Sequence, residues 1–217
     1  MDYVAWIRSA ATLGAEGLEH YDGFFRSVRA ADVDPALSAM AETGQVSSML
    51  CFSPDFTHPD AAERARQVGR QQAAIDLAVR LGTKFCRTLS GQQRPGLTRR
   101  EGIARTVDGI CRSLEYAERR DVVLCLENHY KDGTWQYPEF AQPEDVFLEI
   151  LEHAPWLQDR LMFSTDYPHW DFDAPNEALP KVKLPDGFAA KLMAENARQL
   201  YKLPIGVRHA SRVGLSD

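Results

Sequence analysis

The sequence predicts a parallel α/β fold built from βαβ units, on three observations. Short apolar runs alternate with stretches of helical periodicity along most of the chain. Each apolar run closes on polar, ionisable residues, the usual place for chemistry in a parallel sheet. The length of 217 residues, with 44% apolar and 26% charged residues, suits one globular domain spanning 1–217.

The elements follow in order. Residues 3–13 read as an opening helix. The first strand, 17–21, runs into Glu19-His20-Tyr21-Asp22. A helix at 34–43 leads to a second strand, 46–52, which closes on Ser53-Pro54-Asp55. Helix 59–81 places Ala62, Ala65, Val68, Ile75, Ala78, Val79 and Leu81 near helical spacing, and Gly82 suits the left-handed residue past its end. The third strand, 84–89, runs through Arg87 to Ser90-Gly91-Gln92. Helix 98–119 opens with Thr98 three residues before Glu101, a capping-box spacing. The fourth strand, 122–127, ends in Glu127-Asn128-His129, and a helix at 143–153 follows. A fifth strand is expected at 160–165, closing on Asp166-Tyr167-Pro168-His169. A long ordered loop with Pro175, Pro180 and Pro185 then leads to a helix at 186–201. Strands separated by helices need crossover connections, hence parallel pairing.

Composition excludes several function classes. The net charge is −6 and no Lys/Arg run exceeds two residues, which argues against nucleic acid and anionic membranes as partners. No apolar run approaches the roughly 20 residues of a membrane helix, and the start lacks a signal-peptide pattern. Cys51, Cys86, Cys111 and Cys125 form no C-x-x-C pair, so buried, reduced thiols in a cytoplasmic protein are expected. G-x-S-x-G, G-x-G-x-x-G, phosphate-loop, H-x-H and H-E-x-x-H motifs do not occur.

The strand ends supply the candidate site. Glu127 and Asp166 are carboxylates from successive strand ends that can converge on one divalent cation, unless Glu127 instead pairs with a strand-end arginine such as Arg87. His169, one short turn beyond Asp166, is a candidate ligand, proton carrier or substrate donor. Glu19, Arg87 and His129 are candidate substrate contacts, with Trp135 and Trp170 as walls of the pocket.

Residues 3–153 resemble the xylose-isomerase-like TIM-barrel superfamily of sugar-phosphate isomerases and epimerases. The segments that carry the likeness are AATLGAEGLEHYDGFF, RQQAAIDLAVRLGTKFCRTLSG and VVLCLENHYKDG. The resemblance implies a (β/α) TIM-barrel-like fold with a divalent metal (Mn, Mg, Co or Zn) at its mouth. Glu127 would be its first carboxylate ligand, Asp166 a further ligand, and His169 would face the substrate. His209, in VRHAS, would stand for the family's later histidine ligand, while its last-strand glutamate has no counterpart here. Within the same domain, residues 155–204 resemble the closing segment of the metal-dependent amidohydrolases, which would also place Asp166 at the metal.

A full barrel has eight strands and about 250 residues. Five strands are read here, six with 205–209, so the barrel is expected to be incomplete, and its open sheet edges point to a homo-oligomer. The function expected is a divalent-metal-dependent isomerase or epimerase of a small sugar or polyol-like molecule, working by proton transfer next to a carbonyl. The alternatives are an amidohydrolase-type hydrolase or decarboxylase, and a non-catalytic barrel remnant that binds a ligand.

Overall fold

The computed structural model describes residues 2–154, 160–165 and 186–202. The chain divides into two compact units, Met1–His153 and Ala154–Asp217. The first holds α1 (Tyr3–Ala11), β1 (Gly17–Tyr21), α2 (Ala30–Thr43), β2 (Val46–Cys51), α3 (Ala61–Leu81), β3 (Phe85–Thr88), α4 (Arg99–Arg119), β4 (Val123–Leu126) and α5 (Glu144–Glu152). In the second, α6 (Phe188–Ala190) runs through a π-helical stretch (Lys191–Glu195) into α7 (Asn196–Leu200).

The helix boundaries have local causes. Asp2 accepts the Ala5 amide at 2.9 Å and starts α1, and Asp60 does the same for α3 through Ala62 at 2.8 Å. Gly82 ends α3 in the left-handed conformation, at φ 79. The capping box forms as expected: the Glu101 amide donates to Thr98 Oγ1 and the Thr98 amide donates back to the Glu101 carboxylate. Helix α2 begins a turn earlier than the sequence pattern suggests, at Ala30. Ser27 fastens that early turn by donating to Asp32 at 2.5 Å.

The sheet has strand order β1-β2-β3-β4, every pair is parallel, and among the described residues it is not closed into a barrel. The expected strand at 160–165 is a correction: residues 161–165 are coil. Their polar backbone groups bond within the second unit instead. Phe163 N donates to Leu192 O at 2.9 Å, and Asn196 Nδ2 donates to Leu161 O at 2.8 Å. The further strand expected at 205–209 lies outside the described residues. Among the described residues no helix is long and apolar enough to cross a membrane.

Alternation along the strands sorts their side chains between two faces. One face packs Leu18, His20, Leu50 and Cys86 against Ile7, Val33, Ala39, Ile75 and Ala78 of the helices. His20 belongs to this core: burial lowers its pKa to about 4, and its Nδ1 meets the Tyr3 hydroxyl. The opposite face carries the row Tyr21, Cys51, Arg87 and Cys125, set by the registers Tyr21↔Cys51 and Arg87↔Cys125. All four cysteines are free thiols; Cys86 is buried, Cys51 and Cys125 are partly so, and Cys111 is exposed. Burial pushes the Cys51 and Cys125 thiols up to about 11, against the opposing Arg87 charge at Cys51, so they stay protonated at neutral pH.

A smaller cluster of Ile103, Phe140, Ala141, Val146 and Ile150 joins α4, α5 and the loop after β4. Two glycines of α4 make this packing possible. A Cβ on Gly102 would collide with the Phe140 ring, and one on Gly109 with the Phe56 ring. The loops after β2 and β4, which carry Phe56 and Phe140, are thereby drawn onto α4 and held at the carboxyl ends of the strands.

Candidate functional site

The carboxyl ends of β2, β3 and β4 bring three polar groups together around Arg87. Its Nη1 donates to Glu127 Oε2 at 2.9 Å and its Nη2 donates to Ser53 Oγ at 3.1 Å. The arginine side chain is 16% exposed and the glutamate 42%, so the cation is held inside while the carboxylate reaches solvent. Burial weakens the arginine's charged form, but Cys51 and Glu127 beside it more than offset that, and its pKa is raised. Its Nε is buried with no hydrogen-bond partner among the described residues. An uncompensated buried donor is costly, and this one is closed off from solvent. His129 Nδ1 stands 3.9 Å from Glu127 Oε1, the carboxylate oxygen that Arg87 does not use.

Beside this group lies a polar cavity of about 180 Å³. Tyr21 and Asp22 come to it from the end of β1, Ser53 and Asp55 from the β2 loop, Arg70 from α3, and Thr134 and Trp135 from the loop after β4. Ser53 thus touches both the cavity and Arg87. Arg70 is half free: it lies over the Phe52 ring and sits 3.9 Å from Asp22. Burial raises the Asp22 carboxyl above its ordinary value despite Arg70, and burial with the Asp132 and Asp22 charges raises the Tyr21 hydroxyl.

Asp55 anchors the floor of the cavity. It is buried, accepts the Gln92 amide and side chain at 3.1 and 2.9 Å, and forms a two-pronged pair with Arg94. Burial pushes its pKa up, but the bonds from Arg94 and Gln92 prevail and the net shift is down. Gly91 sits at φ 117, and a Cβ there would press on Thr57 and Asp55, so this turn admits only glycine. Asp132 receives Thr134 N and Oγ1 at 2.8 and 2.6 Å, a turn that sets the buried Trp135 against the cavity.

The structure therefore brings Arg87, Glu127 and His129 together and places Trp135 one step away through Ser53. Glu19 lies lower on the same face, with Cys51 Sγ 3.9 Å from its carboxylate. Asp166, His169, Trp170 and His209 lie outside the described residues. The arrangement realises the Arg87–Glu127 pair that the sequence left open beside the ligand role. Sequence reasoning missed the buried carboxylates Asp132 and Glu139 and the cation Arg70. Polar residues in loops read as solvated, and nothing local distinguishes these three.

Among the described residues, no group of three or more His, Cys, Asp or Glu side chains is gathered to hold a metal ion. Of the ligands expected from the sequence, only Glu127 is described. It fits that role in part, since its Oε1 is not engaged by Arg87 and its side chain is partly exposed.

The Xylose isomerase-like TIM barrel family model matches residues 7–178. No curated protein matches the chain in sequence. Among solved structures, D-psicose 3-epimerase from Clostridium cellulolyticum is similar at TM-score 0.55 and 14% identity, over 70% of this chain and 54% of that one. A probable 3-DHS dehydratase of petrobactin synthesis from Bacillus anthracis gives TM-score 0.55 and 16% identity, over 71% and 54%. The 3-keto-D-glucoside 4-epimerase of E. coli gives TM-score 0.52 and 14% identity, over 69% and 59%. The chain spans about half the length of the structures it matches.

Proposed function

Since the chain belongs to the xylose isomerase-like TIM-barrel family, we propose that it acts as a divalent-metal-dependent isomerase or epimerase of a small sugar or polyol-like substrate. The observation that carries this reading is the Arg87–Glu127–His129 group at the strand ends, with a polar cavity beside it. Glu127 would hold the ion, and the family resemblance gives Asp166 and His209, which lie outside the described residues, as the further ligands. A divalent cation bound there polarises the substrate carbonyl and acidifies the neighbouring C–H. Arg87, held by Glu127 and Ser53, would place its positive charge beside the carbonyl end. His129, beside Glu127, would contact the substrate, and the resemblance gives His169 as the imidazole that would take up a proton and return it. Trp135 would wall the sugar and Glu19 would accept from a distal hydroxyl; Trp170 is a second wall on the sequence reading alone.

Direct ion binding tests the reading. Purified protein stripped with chelator is expected to take up one Mn²⁺ or Co²⁺ per chain by calorimetric titration. Absence of stoichiometric uptake of Mn²⁺, Mg²⁺, Co²⁺ or Zn²⁺ at millimolar ion would leave a non-catalytic ligand-binding protein as the better account.

The reading includes self-association, supported by the open sheet and by the exposed apolar side chains Val46 and Val123 on it. Sedimentation at micromolar concentration is expected to give a species larger than one chain, and a single-chain species throughout would remove this part.

A further inference from the structure

We propose that Glu139 is a positioning residue of the strand-end site: its carboxylate ties the Ser90 and His129 amides together and so sets where His129 and the Trp135 turn stand. The inference rests on reading that mouth as the place of reaction, but not on which ion or substrate it takes. Glu139 comes from the loop after β4 and is 1% exposed. Its Oε1 accepts Ser90 N and Ser90 Oγ, both at 2.8 Å, and its Oε2 accepts His129 N at 2.6 Å. One side chain thus bridges the residues that follow β3 and those that follow β4.

The rest of the loop is laced down around it. Phe140 N donates to Gly91 O at 2.7 Å, Gln93 N to Pro138 O at 2.8 Å, and Glu139 N to Tyr130 O at 2.8 Å. Gln136 N and Tyr137 N share Gln92 Oε1 at 3.0 and 3.2 Å, and Ala141 N donates to Ser90 Oγ at 3.0 Å. Trp135 hangs from this same strip, so the cavity wall follows the latch.

The backbone bonds alone would hold a loop; a carboxylate among them adds a cost that only a neutralised or strongly bonded group escapes. Among the described residues no cation neutralises Glu139. Arg87 is spent on Glu127 and Ser53, Arg94 on Asp55, and Arg105 on Thr57 O and Glu101. His129 offers its amide, not its ring, and the charge that reaches Glu139 from β4 is Glu127, which repels. Burial, against the Ser90 and His129 bonds, pushes the Glu139 pKa up to about 7, where a solvated one titrates at 4.5. Between those values the latched form holds a proton that the opened form lacks. Latching is therefore strongest below the solvated value and weakens about tenfold per pH unit until it levels off above about 7.

Native-state hydrogen exchange of the Glu139 and Phe140 amides, corrected for intrinsic rates and recorded without ion or substrate, reads the latch directly. Protection is expected to fall about 40-fold from pH 5 to 7 and then flatten. In Glu139→Gln the pH dependence should vanish. In Ser90→Ala the plateau should begin at higher pH, because a donor to the charged form is gone. The His129 ring resonances should show a transition centred where protection levels off, and that transition should be lost in Glu139→Gln. Wild-type protection independent of pH, or an unchanged slope in Glu139→Gln, overturns the proposal. Should Glu139→Gln not fold, an unmoved plateau in Ser90→Ala overturns it equally, and a His129 ring that ignores the transition reduces Glu139 to a loop anchor. None of these outcomes bears on ion uptake, so the metal reading stands or falls separately.

Discussion

Glu127→Gln is expected to lose divalent-ion affinity by about 100-fold or more while the protein keeps its fold. Even residues that merely orient a metal ligand change affinity 10–100-fold, and the ligand itself must do at least as much. The fold should survive for a geometric reason. Glutamine retains a carbonyl oxygen where Glu127 Oε2 accepts Arg87 Nη1 at 2.9 Å, and Arg87 keeps its second bond to Ser53. The expected loss of stability is about 1–2 kcal/mol, the weakening of one charge-assisted hydrogen bond at a partly exposed side chain. Calorimetric ion titration and urea unfolding on the same preparation decide between the two roles of this residue. A variant that binds the ion normally but unfolds far more easily would make Glu127 the structural partner of Arg87 and nothing more.

Arg94→Ala should be the most destabilising single change at the mouth, by about 3 kcal/mol. It strands the Asp55 carboxylate, of which only 9% is exposed, and breaking one side of a buried pair typically costs 3–5 kcal/mol. The partial exposure of Arg94, at 20%, keeps the estimate at the lower end. The pH dependence carries the diagnosis. In the wild type the folded Asp55 pKa is depressed, so its contribution is fully present above the ordinary carboxylate range and is lost as pH falls through the depressed value. Without Arg94, burial becomes the larger influence and raises that pKa, so the variant recovers stability as Asp55 takes up a proton. The gap in urea midpoint between variant and wild type should therefore narrow from pH 7 towards pH 4. A gap below about 0.5 kcal/mol, or one that ignores pH, would show that Asp55–Arg94 behaves as an ordinary surface pair.

Much of the first unit was legible because its causes are local. Gly82 and the Thr98–Glu101 box act within one turn of the helix ends they define, and a reader of the chain meets them within four residues. The alternation of buried and open side chains in β1 lies within five consecutive residues. The same reasoning failed at 160–165. An apolar run has the composition of a strand, but a strand exists only if a neighbour takes up its hydrogen bonds, and Phe163 bonds to a helix residue at 192.

The sequence by itself determined the order of the first four strands and the helices between them, the parallel pairing that follows from it, and the polar residues at those strand ends, Glu127, Arg87 and His129 among them. Only the tertiary structure decided what those residues do to one another. Arg87 meets Glu127 across 40 positions, and Glu139 meets Ser90 across 49. Helix and strand periodicity repeats every two to four residues and carries no information at such separations. A carboxylate's protonation depends on the water it has lost and the donors it has gained. The loop after β4 folds back over β3 to bury Glu139, and no residue near it in sequence announces that burial.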